Sequence, residues 1–175
     1  GLDDDVLNVR RVPSAAAPIV HRLAPLADDF VATGRARRLT RSIWFEITTS
    51  DGVYGWVNSS FTAQAGPTFD ITARVVADLG EIPQATTMTE LGEIVASVIA
   101  TDPEFVQRIV QTVPPSFGDL AEVTYDVVGL GDDATAAQRL HISAVQGGSG
   151  FSLRTVEATD MCVPVRGVSS GGLCA

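Results

Sequence analysis

Lysine is absent from this chain: all twelve basic side chains are Arg. Aromatics are scarce at 6% of residues, with two Trp and two Tyr. There are two His and two Cys. No apolar run approaches the ~20 residues that a bilayer-spanning helix needs. Each shortage narrows the field. Two thiols are too few for a structural zinc site, whose usual ligand count is about four, and the nearest other candidate, His141, stands alone. With so few imidazoles and thiols, a catalytic constellation has little to draw on. No Gly-x-Ser-x-Gly elbow occurs, and "GGSGF" has the wrong spacing and reads as a turn. Neither "GLG" nor "GGSG" is followed by the Gly-Lys-Ser/Thr of a phosphate loop. No metal, cofactor or catalytic residue is expected, and the chain reads as a non-enzyme.

What is present is a folded composition, 45% hydrophobic and 19% charged. The net charge of −9 is unevenly spread: residues 1–64 balance seven Arg against seven acids, while residues 65–175 carry five Arg against fourteen. An acidic second half repels phosphate backbones and argues against nucleic acid as a partner. The start at "GLDDD" is compatible with a trimmed export or anchoring segment, the only route to a membrane that the sequence suggests.

Gly66-Pro67 in "FTAQAGPTFD" marks a boundary where charge balance and aromatic content both change. Before it, "VLNVR", "APIVHRL", "DFVATGRARRL", "SIWFEITT" and "VYGWVN" read as strands, the last two flanking an Asp51-Gly52 turn. After it, Phe69, Ile71, Ala73 and Val75 alternate as in a strand. Thr87 and Glu90 form a capping box before a helix whose buried face is Leu91, Ile94, Val95, Val98 and Ile99. Asp102-Pro103 opens a second helix with a stripe of Phe105, Val106, Ile109, Val110 and Val113, ended by Pro114-Pro115. Three strands follow: "AEVTYDVVGL", "RLHISAVQ" and "FSLRTVEAT", the last two joined by "GGSG". The predicted architecture is two domains: a small all-β unit over 1–64, then an α+β domain over 65–175 with a helix pair on one face of an antiparallel sheet.

The series Leu7-Asn8-Val9-Arg10, Pro13-Ser14, Trp44, Asp51-Gly52 and Gly55-Trp56-Val57 resembles the bacterial SH3-like (Src-homology-3-like) domain, over roughly residues 6–62. The resemblance implies a small β-barrel that binds cell-wall peptide or a protein partner. Two departures stand near the loops that shape the ligand groove of that fold. Val12 precedes the Pro where the family usually has Gly, and the stretch from Ala24 to Trp44 is longer and more basic. The family's frequent companion, a cell-wall cysteine peptidase, needs a Cys followed by a His, and here both His precede Cys162. The closing "VEATDMCVPVRGVSSGGLC" loosely resembles disulfide-closed tails of secreted or lipid-anchored actinobacterial proteins.

Physical readings stand beside the resemblance. A small barrel needs bulky fillers, so Trp44 and Trp56 read as packing, with Gly55 admitting a close neighbour. The alternative is that Trp44, Tyr54 or Phe61 lines a groove. The basic cluster Arg35, Arg37, Arg38 and Arg41 fits a solvated face, docking onto the acidic half, or an anionic wall polymer or peptide carboxylate held by Arg35 and Arg37. His141, Arg139 and Ser143 would share one strand face, read as solvated or, alternatively, as a proton-transfer or binding site. The acid groups Asp3–Asp5, Asp28-Asp29 and Asp132-Asp133 lack the spacing of a calcium loop. Cys162 and Cys174, separated by turn-forming Gly and Ser, are expected to form a disulfide, with two free thiols as the alternative. That bond implies an oxidising compartment. The expectation is a non-catalytic extracytoplasmic protein of the cell envelope. The other reading is an accessory or sensory protein whose α+β domain binds a partner or small ligand while the barrel is a spacer.

Overall fold

A computed structural model describes residues 6–24, 27, 29–101, 104, 106–163 and 166–175. The predicted helix start at Asp102-Pro103, its stripe residue Phe105, Asp28 and the Asp3–Asp5 triplet lie outside the described residues. The chain divides into two compact units, Gly1–Ala63 and Gln64–Ala175.

In the first unit, strands form where apolar and polar residues alternate: β1 (Leu7–Arg10), β2 (Ile19–Leu23), β3 (Phe30–Arg38), β4 (Ile43–Thr49) and β5 (Tyr54–Asn58). They make one antiparallel sheet in the order β2-β1-β5-β4-β3. Val9, Leu23, Ile47 and Val57 form its buried cluster, backed by Leu7, Val20, Phe30 and Phe45. A Cβ on Gly55 would stand 2.4 Å from Val9 Cγ1, so β5 approaches β1 closely only because that residue is Gly. The expected closed barrel is not formed. Among the described residues no pairing joins β2 to β3, which leaves an open sheet with two edges. The chain instead leaves through a 3-10 turn at Ser59–Phe61, and its next strand pairs in the second unit.

The second unit corrects the predicted α+β arrangement: it is dominated by one six-stranded antiparallel sheet. Strands β6 (Gln64–Asp70), β7 (Gln84–Ala85), β8 (Arg108–Phe117), β9 (Ala121–Val128), β10 (Thr135–Gly147) and β11 (Gly150–Cys162) pair in the order β6-β11-β10-β9-β8, with β7 beside β11. Two helices, α1 (Thr72–Leu79) and α2 (Met88–Ile99), contribute to its core.

Two segments depart from the sequence expectation. The strand read through Phe69–Val75 ends at Asp70 and becomes α1. Ile71, Val75, Val76 and Leu79 also satisfy helical spacing, and all pack on the core. Asp70 Oδ1 accepts the Thr72 N–H at 2.9 Å where the helix begins, and Gly80, at φ 78°, ends it. The second predicted helix is β8. Its Ile-Val-Gln-Thr-Val run is β-branched, and Pro114-Pro115 lies within an edge strand, where missing N–H groups are tolerated.

The α2 capping box forms in altered guise. Thr87 Oγ1 accepts the Glu90 N–H at 3.1 Å, while Glu90 Oε2 reaches back to Thr86 N and Oγ1 rather than to Thr87. Gly92 lies over Tyr125, where a Cβ would meet Cε2 at 2.2 Å. The Tyr125 hydroxyl donates to Thr89 O at 3.1 Å and lies 3.2 Å from Gln111 Oε1, tying α2 to β8 and β9. Cys162 and Cys174 are joined as a disulfide, which closes the C-terminal tail onto β11.

Gly92→Ala is expected to lower stability by about 1–3 kcal/mol through overpacking on a rigid ring, measured by denaturant unfolding. Reduction of the disulfide, or Cys174→Ser, is expected to cost about 3 kcal/mol in the same assay, from a closed loop of about 13 residues.

Candidate functional site

The three-residue loop Ser50–Gly52 sets the register between β4 and β5. Gly52 takes φ +82°, its N–H bonds to Thr49 O at 2.9 Å, and the Thr49 N–H bonds to Val53 O at 3.0 Å. The register then pairs Thr48 with Tyr54, Glu46 with Trp56 and Trp44 with Asn58. Alternation sends Phe45, Ile47 and Val57 to the core and turns Trp44, Glu46, Thr48, Tyr54 and Trp56 to the other face. On β3, Val31 pairs with Thr48 and Arg37 with Trp44, so both join that face. Arg10, paired with Trp56, joins it from β1.

Arg35 lies in a bulge of β3 between Ala32 and Ala36. Its Nη1 donates to Glu46 Oε1 at 2.9 Å, and its guanidinium stands 5.9 Å from the Trp56 ring centroid. Thr33 Oγ1 donates to the other Glu46 oxygen at 2.8 Å. Glu46 is thus held on both oxygens and in turn holds Arg35 beside Trp56. The result is a guanidinium–aromatic platform, with Tyr54, 67% exposed, on the same face two residues along β5. Such a surface offers π-faces and charged donors to planar, anionic or amide-bearing ligands.

Of the residues singled out from the sequence, Arg35, Arg37, Trp44 and Tyr54 share this face. Trp44 is only 4% exposed, with its Nε1 donating to Ser42 Oγ at 2.9 Å, so its ring packs rather than lining an open surface. Phe61 lies in the 3-10 turn and is 73% exposed. Trp56, read from sequence only as packing, is part of the platform. Its position two residues from Tyr54 on a strand was the available signal. Glu46 carried no signal, because its role depends on a bulge in another strand.

In the second unit Arg139, His141 and Ser143 share the sheet face away from the helices. Arg139 pairs with buried Asp126 through Nε–Oδ1 at 2.8 Å and Nη2–Oδ2 at 3.0 Å. His141 lies between Glu157 (3.6 Å from Nδ1) and Glu122 (3.9 Å from Nε2), all partly exposed. Ser143 and Thr155 hydroxyls are 2.6 Å apart. Among the described residues no group of three or more His, Cys, Asp or Glu side chains is placed to hold a metal ion. A cleft of about 350 Å³ beside α2 is lined by Glu93, Ser97, Ile109, Gln111 and Tyr125, and burial, with Glu93 nearby, raises the Tyr125 pKa.

The chain matches no protein-family model, no curated protein and no solved structure. No described helix is long and apolar enough to cross a membrane.

The Thr49 hydroxyl donates to Asp51 Oδ1 and holds that carboxyl below the ordinary aspartate range, helped by His21 at 3.8 Å. A depressed carboxyl stabilises the folded turn above its unfolded pKa, and the effect is lost as pH falls through the lowered folded value. An NMR titration is expected to place the Asp51 midpoint below that of an ordinary aspartate, and Thr49→Val to raise it.

Proposed function

We propose that this chain is a non-catalytic binding protein of the bacterial cell envelope, acting outside the cytoplasm, and that its first unit recognises cell-wall peptide or a protein partner. The observation that carries this reading is the convergence of Arg35, Arg37, Tyr54 and Trp56 on one sheet face. Arg35, Arg37 and Tyr54 are exposed on that face, with Trp56 half-buried beside them. The motif series from Leu7 to Val57, which resembles SH3-like domains, supports it independently. The Cys162–Cys174 disulfide is consistent with an extracellular setting.

The second reading, an accessory or sensory protein in which the acidic unit binds a small ligand and the first unit is a spacer, draws on the cleft at Tyr125. It would leave the aromatic face of the first unit without a role.

Sedimentation with purified peptidoglycan tests the first reading. The full chain is expected to be retained, and the Tyr54→Ala/Arg35→Ala variant, altered at two exposed side chains, to be retained several-fold less. Retention of the full chain no greater than that of the variant would remove wall binding.

A further inference from the structure

The first unit's sheet ends in a strand that is exposed, basic and unpaired on one side. Among the described residues β3 pairs only with β4, and eight of its nine residues are exposed. Its outer edge presents backbone groups in a fixed order. The Leu39 N–H bonds inward to Ser42 O at 2.8 Å. Alternation then turns Arg37 inward toward Trp44 and leaves the N–H and C=O of Ala36 and Arg38 facing outward. The bulge at Thr33–Arg35 interrupts the edge upstream, so the regular stretch from Ala36 to Arg38 is where a further strand can pair.

The stretch itself carries charge of one sign. No acidic residue occurs between Phe30 and Phe45. Arg35 is engaged by Glu46, but Arg37, Arg38 and Arg41 form no ion pair among the described residues. Cations on an edge strand repel basic strands and resist the desolvation that pairing with an apolar strand would impose. The same cations leave one kind of strand favoured, an acidic one. A polyanion without a peptide backbone would use the charges but not the outward N–H and C=O groups. It would not use the apolar side chains of Val31 and Leu39 either, which are 71% and 40% exposed on the same strand and its turn.

We propose that the outer edge of β3 is a docking strand for an acidic, extended polypeptide, which adds beside Ala36–Arg38 and sets its carboxylates against Arg37, Arg38 and Arg41. The inference rests on the first unit being a recognition module, and it names the partner class and the mode of binding. Main-chain hydrogen bonds supply affinity and the arginines supply selectivity.

The test uses the full chain and a fluorescent Glu-Val octapeptide, Glu-Glu-Val-Val repeated twice so that both faces of the extended strand carry carboxylates for Arg37 and Arg38, followed by anisotropy. Three competitors accompany it: the same peptide N-methylated at alternate residues, a Lys-Val repeat, and polyphosphate. The Glu-Val peptide is expected to bind and the Lys-Val peptide not to. N-methylation is expected to weaken binding about tenfold or more, and Arg37→Glu/Arg38→Glu to do the same with an unchanged circular dichroism spectrum. On the unmutated chain, amide exchange at Ala36 and Arg38 is expected to slow when the peptide is added, a readout that depends on no variant. Absence of Glu-Val binding, equal binding of the N-methylated peptide, or displacement by polyphosphate at equal charge would overturn the proposal. Wall retention with no peptide binding would sink the docking strand alone, and peptide binding with no wall retention would sink wall recognition alone.

Discussion

Everything displayed by the first unit depends on the register of one hairpin. The Ser50–Gly52 loop joins β4 to β5 so that Glu46 stands opposite Trp56 and Ile47 opposite Gly55. In a strand pair the side-chain period is two, so a slip of one residue on either strand would exchange its faces. Ile47 or Val57 would move into water, and Glu46 or Trp56 would be driven into the apolar cluster with Val9 and Leu23. Burial of those aliphatic side chains therefore enforces the register that builds the platform, and the loop's own hydrogen bonds agree with it. Local turn chemistry and core burial select the same pairing.

The second unit is held by a different set of constraints. A single large ring, Tyr125, is clamped beneath α2 by the missing side chain of Gly92 and anchored by its hydroxyl. On the opposite sheet face a bidentate Arg139–Asp126 pair and a Ser143–Thr155 contact cross from strand to strand. Such a buried pair is weak evidence for stability, but breaking it would strand a charge, so it discourages alternative pairings of β9 and β10. The disulfide then fastens the tail to β11.

Much of this was legible in the residues. Five strands before Ala63, the turn at Asp51-Gly52, the helix beginning after Thr87 and the Cys162–Cys174 bond follow from alternation, turn chemistry, capping and spacing. Two elements were not. Ile71–Leu79 satisfies both periods, and only the core beneath it selects the helix. Ile109–Val113 has apolar spacing that suits a helix and β-branched residues that suit a strand, and there a neighbouring strand selects the sheet. Closure into a barrel was misread for a topological reason: the strand after the 3-10 turn pairs with β11, some 90 residues away in sequence, as in Thr159↔Thr68. No local pattern records that choice. The site was half legible. Arg35, Arg37 and Tyr54 stood out by type, Trp56 was present but assigned to packing, and the Glu46 clasp depends on a bulge that no periodicity reveals.

The most direct test of this account is a cross-strand NOE measurement on the full chain. Glu46 and Trp56 form a pair without mutual backbone hydrogen bonds, which brings their Hα atoms close. The account predicts a strong Hα–Hα NOE between Glu46 and Trp56, and another between Thr48 and Tyr54. An Hα–Hα contact of Glu46 with Gly55 or Val57 instead would show a shifted register, dismantle the platform and contradict the functional reading built on it.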